Sequence, residues 1–133
     1  MGILKNIFGG KDSETAKPAE KTFLHWLPLS SIAQLEEIKA QSKTESILIF
    51  KDSTRCGISR IVIKQFEALF TAEFENLKVY YLDLLNHRDI SNEIADTFEV
   101  IHQSPQLLVI KNGFSVLDTS HHDIANVNLS RFI

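Results

Sequence analysis

An unbroken apolar run, ILIF at residues 47–50, constrains the fold more than any other feature of the sequence. A run of this length, bounded by polar residues, is typical of a central strand that is covered on both faces. Such a strand requires a helical layer on each side of its sheet. The run therefore predicts an α/β domain with three layers, α/β/α.

The residues before this run predict a short extended piece at residues 23–27 and then a helix that ends near Gln41. Ser31 and Gln34 have the spacing of a capping box, in which side chains satisfy free backbone groups of the first helical turn. The helix would bury an apolar stripe. That stripe consists of Ile32, Leu35 and Ile38.

A long amphipathic helix is predicted directly after Cys56. Its apolar residues recur at spacings of three and four, which is the helical period. Many of them are bulky or aromatic, so we expect this helix to bury a large face. These residues are Ile58, Ile61, Val62, Phe66, Leu69, Phe70 and Phe74.

The second half of the chain continues the alternation of strands and helices. The dipeptide Asn112-Gly113 predicts a tight hairpin turn between the last two strands, which would therefore be antiparallel. The predicted elements are a strand at residues 77–84, a helix at 88–99, strands at 106–111 and 114–119, and a short helix at 124–132.

The order of all elements is β-α-β-α-β-α-β-β-α, with parallel crossovers first and a hairpin last. This order predicts a thioredoxin-like fold with a mixed sheet of four to five strands. Residues 22–133 would form this domain. Residues 1–21 predict a flexible tail, because most of them combine Gly, Pro, Ser and charged side chains without an apolar period.

Composition and charge narrow the classes of function. A chain of 133 residues with 44% hydrophobic and 23% charged residues suits one globular domain. The formal net charge of −3 leaves no basic surplus for nucleic-acid phosphates. No apolar run approaches the about 20 residues that cross a bilayer, and the first residues do not form a signal peptide. We therefore expect a cytoplasmic protein with no nucleic-acid partner and no membrane span.

The only cysteine, Cys56, follows the central strand within the stretch STRCGIS. It would lie where a strand ends and a helix begins, at the sheet edge where open α/β folds place their ligand sites. Helix-initial amides stabilise a thiolate there, and the thiolate is the nucleophile of disulfide exchange. Arg55 and Arg60 would lower the pKa of the thiol further. Ser59 could donate its hydroxyl to the sulfur, but it cannot attack a mixed disulfide.

A buried, unreactive side chain is the alternative interpretation of Cys56, since free cysteine is among the most buried residue types. Its neighbours at residues 53–55 and 59–60 are polar or charged, which argues against burial. A single cysteine also excludes an internal disulfide, so any disulfide must join another molecule, which fits a reducing cytosol. We expect a reactive thiol.

A second candidate part of the site is the stretch QSPQ at residues 103–106, immediately before the third apolar strand. Proline cannot donate to a sheet, so Pro105 must start the strand, and only X-Pro bonds adopt the cis form at modest cost. A cis-Pro105 would turn the Ser104 backbone toward the cysteine, where it could pair with an extended substrate. An ordinary trans proline is the alternative.

Metal binding is not expected. The run His-His-Asp at residues 121–123 is compact, but adjacent histidines of a strand point to opposite faces, and Cys56 is the only other soft ligand. His87 and His102 could line the cleft or lie in solvent. Asp83 could assist proton transfer if it is buried, or could simply be exposed.

Several of these stretches resemble the YtxJ-like bacilliredoxins, which are also called monothiol bacilliredoxins. The resemblance covers about residues 23–133 and is carried by FKDSTRCGISR, YYLDLLNHRDISNEIA, HQSPQLLVIKNG and TSHHDI. It implies a thioredoxin fold whose single cysteine exchanges with mixed disulfides between proteins and bacillithiol, a small bacterial thiol. The family's reactive cysteine and the serine three residues later match Cys56 and Ser59, and its cis-proline matches Pro105.

One departure from the family concerns Gly57, because proline often follows the reactive cysteine. Glycine leaves the first helical position looser by about 1 kcal/mol of entropy. We expect this looseness to affect the pKa and the redox potential of the thiol. Gly57 and Ser59 are expected to contact the substrate at the start of the helix.

The sequence thus predicts a monothiol exchange protein that removes bacillithiol, or a similar small thiol, from client proteins. Cys56 would attack the sulfur of the small thiol, and a second small thiol would resolve the adduct. Arg55 and Arg60 would attract the carboxylates of the small thiol, while Ser104 and Pro105 would orient the attacked disulfide. No bound cofactor is expected. The alternative function is a non-enzymatic adaptor or redox sensor.

Overall fold

The computed structural model describes residues 23–133, and the tail predicted for residues 1–21 lies outside this part. Within it, none of the helices has the length and apolarity needed to cross a bilayer. The strands are β1 (Trp26–Pro28), β2 (Ile47–Asp52), β3 (Lys78–Asp83), β4 (Gln106–Lys111) and β5 (Phe114–Ser120). The α-helices are α1 (Ala33–Gln41), α2 (Gly57–Ala68) and α3 (Arg88–Phe98), with 3-10 helices at Ala72–Phe74, His121–Asn126 and Leu129–Phe132.

The strands form one mixed sheet in the order β1-β3-β2-β4-β5. β3 pairs in parallel with both β1 and β2, whereas β4 is antiparallel to β2 and β5 is antiparallel to β4. Helices cover both faces of this sheet. The predicted thioredoxin-like, three-layer α/β/α fold is thereby confirmed, with β2 as the central strand.

Alternate residues of β2 supply two separate cores, one on each face of the sheet. Ile47 and Ile49 pack with residues of α1 and α3, whereas Leu48 and Phe50 pack with residues of α2 and the C-terminal 3-10 helices. All four side chains are fully buried. Each such burial stabilises the fold by about 1.5–3 kcal/mol, which explains why this strand shows no alternation of apolar and polar residues.

Aromatic rings dominate the core on the α2 face. Phe66 lies at its centre, with ring centroids 5.3 Å from Phe50 and 5.2 Å from Phe70. Trp26 of the edge strand packs edge-on against Phe50 at 5.7 Å. Such tilted and edge-to-face pairs add about 0.5–1.5 kcal/mol beyond the area that they bury. The buried face predicted for this helix is present at Val62 and Phe66, but α2 ends at Ala68, so Phe70 and Phe74 of the predicted stripe lie beyond it.

Half of the predicted capping box is formed at the start of α1. The side-chain oxygen of Gln34 accepts hydrogen bonds from the backbone N–H groups of Ser30 and Ser31 at 2.7 and 3.0 Å. Ile32 is the residue before the helix, and no side-chain cap is made there. Of the predicted stripe, Leu35 is buried with Ile38, whereas Ile32 is exposed because it precedes the first turn.

The hairpin between β4 and β5 turns at Asn112 and Gly113, as predicted. Both residues have positive φ angles, 54° and 81°, which two-residue hairpin turns favour. Their backbone N–H groups donate to the carbonyl and the hydroxyl of Ser42 just beyond α1, both at 2.8 Å. The hairpin is thereby tied to the layer of α1 and α3, at the end of the sheet opposite Cys56.

The predicted helix at residues 124–132 is wrong. The chain forms two 3-10 helices instead, separated by Val127 in an extended conformation. The Asn128 side chain accepts a hydrogen bond from the backbone N–H of Ser130 at 3.2 Å and so starts the second one. Short polar side chains of this kind compete with the α-helical hydrogen-bond pattern. Ile124 and Leu129 reach the same core from two separate segments.

Candidate active site

Cys56 lies at the junction between β2 and α2, where the sequence places it. It is the N-terminal capping residue of α2 and has an extended backbone, with φ −96° and ψ 123°. Its N–H donates to the Ser53 carbonyl at 3.0 Å, and its own carbonyl accepts from the Arg60 N–H at 3.3 Å. The side chain is half-buried. The thiol is therefore held at the mouth of a helix and not within a core.

The surroundings of Cys56 lower the pKa of its thiol. The largest cause is the backbone N–H of Ser59, and the N–H of Ile58 acts in the same direction. Partial desolvation and the Asp52 carboxylate oppose them by raising the pKa. The balance favours the thiolate, because an ionised sulfur accepts hydrogen bonds from helix-initial amides that have no other partner. This is the activation that the sequence predicts for its position.

The predicted contribution of the two arginines to this shift is wrong. The guanidinium groups of Arg55 and Arg60 are not among the causes that change the pKa of Cys56. Both residues are exposed, and charges that extend into water are screened over short distances. Their proposed contact with the substrate is a separate matter and stays a prediction.

Ser59 lies one turn along α2 and is almost completely buried. Its hydroxyl oxygen makes no hydrogen bond within the described part of the chain. The same hydroxyl lowers the pKa of Cys56. Both facts agree if the hydroxyl donates to the sulfur only after ionisation, since a neutral thiol is a weak acceptor. Ser59 thus occupies the position of the second thiol of a dithiol protein. Its hydroxyl can stabilise the Cys56 thiolate, but it cannot attack a disulfide.

A cavity of about 230 Å³ opens beside the thiol. A larger groove of about 670 Å³ lies at the opposite end of the sheet, between α1, α3 and the β4–β5 hairpin, and contains no thiol. The small cavity is the one that matters for chemistry at sulfur. Its lining residues are Asp52, Ser53, Thr54, Cys56, Arg60 and Ile63.

Asp52 is a residue of this site that the sequence analysis missed. It ends β2, is only 6% exposed, and lines the cavity together with the thiol. Its Oδ2 accepts a hydrogen bond of 2.5 Å from the Tyr81 hydroxyl on the neighbouring β3. Burial and the adjacent carboxylate raise the pKa of Tyr81, so the phenol remains a donor. The ring of Trp26 packs edge-on against Tyr81 at 5.5 Å and holds it in place.

The Ser104-Pro105 peptide bond is cis, as predicted. Pro105 immediately precedes β4, and Gln106 pairs with Lys51 near the end of β2. The cis-proline and Cys56 therefore lie at the same edge of the sheet. The loop is fastened by Gln106, whose side chain donates to the Ile101 carbonyl at 3.0 Å. Ser104 Oγ is buried and has no hydrogen-bond partner within residues 23–133.

A buried lysine lies on the opposite face of the same strand end. Lys51 is fully buried under α3, where its ammonium donates to the Ser91 carbonyl at 3.4 Å. Burial lowers its pKa to about 8. The pKa of His102 is also lowered, first by desolvation and then by the charges of Lys51 and Arg88. His102 therefore lies beside the cis-proline loop, within the field of two cations.

Two apolar residues near the thiol are exposed, which contradicts the predicted buried stripe. Ile58 and Ile61, in the first turns of α2, are 42% and 56% exposed. The buried face of these turns is formed by Ser59 and Val62, so Ile58 and Ile61 lie on the face of α2 that turns away from the sheet. Ile101, before the cis-proline loop, is 83% exposed. Exposed apolar side chains therefore lie beside both Cys56 and the cis-proline loop.

The other polar residues singled out in the sequence do not line the thiol cavity. Asp83 accepts hydrogen bonds from the Leu85 N–H at 3.2 Å and from the Asn86 side chain at 2.7 Å, and so shapes the turn after β3. His87 precedes α3. Residues 121–123 lie in a 3-10 helix and not in a strand. Within residues 23–133, no group of three or more His, Cys, Asp or Glu side chains could hold a metal ion.

Comparison with known protein families gives one clear match. The family model described as monothiol bacilliredoxin BrxC matches residues 27–129. The matched range contains Cys56, every residue that lines its cavity, and the cis-proline loop. It also contains strands β2 to β5 and the last two residues of β1.

Solved structures with the same architecture include several thioredoxins. A thioredoxin-fold protein with a proposed oxidoreductase role is 32% identical, with a TM-score of 0.64, over 74% of this chain and 85% of that one. Reduced Schistosoma mansoni thioredoxin pre-protein is 25% identical, with a TM-score of 0.62, over 82% and 99% of the two chains. Fasciola hepatica thioredoxin, at 24% identity and a TM-score of 0.57 over 74% and 89%, supports the fold alone.

Proposed function

Because this chain belongs to the monothiol bacilliredoxin BrxC family, we propose that Cys56 removes bacillithiol, or a similar small thiol, from mixed disulfides on client proteins. The family and the fold are those of thiol–disulfide redox proteins. The observation that carries the finer proposal is the position of Cys56 at the start of α2, where the N–H groups of Ser59 and Ile58 favour its thiolate. Disulfide exchange requires that thiolate.

The reaction consists of two exchange steps at one sulfur. First, the Cys56 thiolate attacks the small-thiol sulfur of the mixed disulfide, and the client leaves as a thiolate that takes a proton from water. Second, the thiolate of a free small thiol attacks the adduct and forms a symmetrical disulfide, which returns Cys56 as a thiolate. In sum, the small-thiol group of the mixed disulfide and one free small thiol become one symmetrical disulfide, while one client cysteine is reduced. The small thiol is a co-substrate, and no bound cofactor takes part.

The second step uses an external thiol because the chain has no second cysteine. Ser59 stands where a dithiol protein carries its resolving thiol, and a hydroxyl is not a nucleophile for disulfides at neutral pH. The adduct on Cys56 therefore persists until another small thiol arrives. A reducing cytoplasm supplies such thiols.

Substrate contacts are proposed for the residues around the sulfur. The Ser104 and Pro105 backbone lies at the same sheet edge as Cys56, where it can pair with an extended client segment. Space for the small thiol exists beside Gly57, where an added Cβ would meet no atom within 4 Å. Arg55 is exposed next to the thiol and is suited to attract carboxylates.

The decisive experiment follows intact mass during exchange. The reduced protein is incubated with a client peptide that carries bacillithiol in a mixed disulfide, and in parallel with the same peptide carrying glutathione. We expect the mass of one small thiol to appear on the protein, and the reduced peptide to form at the same rate. Cys56→Ala should show neither change.

Turnover separates this function from a redox sensor or adaptor. With excess free small thiol, the modified protein should return to its reduced mass and process many equivalents of peptide. A protein that takes up one adduct and then stays modified is a sensor. A protein that takes up no adduct, or one whose Cys56→Ala variant reacts equally, does not have the proposed function.

A further inference from the structure

We propose that Asp52 and Arg60 form a binding site for a zwitterionic small thiol, whose free ammonium meets Asp52 and whose carboxylate meets Arg60. This inference rests on the proposed function of Cys56, because the small thiol occupies the site as the adduct forms and as it is resolved. The site would explain why the protein reacts with one small thiol in preference to another. Asp52 would be a specificity-determining residue.

The two charges lie around one small space. Asp52 at the end of β2 and Arg60 on α2 both line the cavity of about 230 Å³ that contains Cys56. This volume is below the about 300–1,000 Å³ of sites for drug-sized ligands, so it suits a group about as large as an amino acid. Ile63 closes the apolar side of the same cavity.

Neither charge forms an ion pair with another residue of the described range 23–133. Within residues 23–133 the ion pairs are Lys39 with Glu36 and Lys78 with Glu45, and both lie away from this cavity. Asp52 and Arg60 therefore line one cavity without pairing with each other. An unpaired acid and an unpaired base around a reactive sulfur match the charges of a zwitterion.

Asp52 is held in a fixed orientation that leaves part of it free. Its Oδ2 is occupied by the Tyr81 hydroxyl at 2.5 Å. No residue of the described part of the chain donates to its other oxygen. Asp52 is 6% exposed, and a carboxylate can accept more hydrogen bonds than the one that Tyr81 donates. An ammonium group in the cavity would supply further donors.

Asp52 also works against the chemistry of the thiol when no ligand is bound. Its negative charge raises the pKa of Cys56 and so opposes the helix amides. A ligand ammonium would offset this charge at the moment when the small thiol is present. Binding and activation of the sulfur would then be coupled.

The proposed site distinguishes small thiols by the state of the nitrogen near their sulfur. In cysteine and in any thiol with an unmodified cysteinyl amine, an ammonium lies two carbons from the sulfur and can reach a carboxylate beside Cys56. In glutathione the same nitrogen is an amide and carries no charge. Arg60 can bind a carboxylate through two parallel hydrogen bonds. The preferred class is therefore a small thiol with a free cysteinyl amine and a carboxylate.

The test measures rates with three simple disulfides that each carry one kind of group. Cystamine carries ammonium groups, dithiodipropionate carries carboxylates, and bis(hydroxyethyl) disulfide is neutral. The rate constant for adduct formation on reduced protein is followed by intact mass. The rate constant of each charged probe is divided by that of the neutral probe. Any change in the pKa of Cys56 affects both rate constants alike and so cancels in the ratio.

Asp52→Asn should lower the cystamine ratio about fivefold, and Arg60→Gln should lower the dithiodipropionate ratio by a similar factor, as expected for a partly exposed ion pair. Asp52→Asn retains an oxygen that can accept from Tyr81, so the fold should be preserved. Asp96→Asn and Lys64→Gln are matched exposed controls on α3 and α2. They should leave both ratios unchanged.

Ratios that stay within about twofold of the unaltered protein in both variants would overturn the proposed site. If Asp52→Asn fails to fold, the unaltered protein decides the matter on its own. The ratio of its rate constant with cystamine to that with the neutral disulfide should then exceed the same ratio measured for mercaptoethanol, used in place of the protein as the attacking thiol. Equal ratios would overturn the proposed site. If adducts form but the ratios are unchanged, only the proposed binding site is refuted. If no probe forms an adduct, the proposed function of Cys56 is refuted as well.

Discussion

Replacing Lys51 with methionine should stabilise the protein at neutral pH, although it removes a charged residue near the active site. The Lys51 side chain is fully buried, and its ammonium has one hydrogen bond, of 3.4 Å, to the Ser91 carbonyl. No carboxylate within residues 23–133 forms an ion pair with it. Methionine has a similar length and no charge, so it can fill the same space under α3.

The magnitude follows from the pKa of Lys51. Burial lowers it from 10.5 to about 8, because the charged form loses its hydration. At about 1.4 kcal/mol for each pH unit, this difference corresponds to a cost of roughly 3 kcal/mol for keeping the ammonium in the fold. Loss of the long hydrogen bond offsets about 1 kcal/mol of the gain. We expect Lys51→Met to raise the free energy of unfolding by about 2 kcal/mol near neutral pH.

The gain should depend on pH with a defined sign. The folded pKa of Lys51 lies below the unfolded one, so its cost is fully present below about pH 8. The cost falls as the pH rises from there and is lost above about pH 10.5, where the amine is neutral in both states. The difference between Lys51→Met and the unaltered protein should therefore shrink as the pH rises.

Urea denaturation near pH 7 and near pH 10, followed by tryptophan fluorescence, measures both effects. Other groups titrate in the same range, but their contributions cancel in the difference between the two proteins. Lys111→Met, at an exposed position of β4, is the matched control and should change stability little at either pH. If Lys51→Met lowers stability near neutral pH, and by the same amount at both pH values, the buried ammonium is not a cost and the reasoning is refuted.

Three further predictions concern the thiol, the core and the start of α2. Ser59→Ala should raise the pKa of Cys56, because it removes a hydroxyl that favours the thiolate, and thiolate absorbance against pH measures this. Phe66→Ala should lower the free energy of unfolding by about 3–5 kcal/mol, since it opens a cavity in the aromatic core. Gly57→Ala should raise that free energy by about 0.4–1 kcal/mol, because the new Cβ meets no atom within 4 Å and the unfolded chain loses freedom.

Matched variants make these predictions specific. Phe114→Ala, at a side chain that is 72% exposed, should change stability by less than about 0.5 kcal/mol. Gly113→Ala should destabilise, because φ is +81° there. Equal losses for Phe66→Ala and Phe114→Ala would contradict the assigned core. A Ser59→Ala thiol that titrates as in the unaltered protein would show that the hydroxyl does not reach the sulfur.

The order of the elements could be predicted because each element carries its own apolar period. The run at residues 47–50 is buried on both faces, and the stripe that includes Val62 and Phe66 lies on one side of α2. These patterns are local, so no knowledge of the fold is needed to see them. Ile58 and Ile61 were assigned wrongly because their spacing of three residues also fits a helical stripe, whereas the buried face of these turns is formed by Ser59 and Val62. A polar residue such as Ser59 gives no apolar signal for the face on which it lies.

The candidate site was predictable only in its local parts. Cys56 and Pro105 are marked by their positions next to apolar strands, and the structure places both at one edge of the sheet. The contact between Asp52 and Tyr81 depends on the register of β2 against β3, in which Asp52 lies opposite Asp83. One signal was available. Asp52 has the same parity as Leu48 in the strand, which places it on the α2 face with the thiol.

The two charged residues that end β2 have a consequence for how this protein can change over evolution. Lys51 and Asp52 are adjacent in the chain, but Lys51 reaches toward α3 and Asp52 reaches toward the cavity beside α2. The backbone of β2 therefore separates a positive charge on one face of the sheet from a negative charge on the other. Substitutions at Lys51 can therefore adjust resistance to unfolding from one face of the sheet, and substitutions at Asp52 can adjust the pKa of Cys56 from the other.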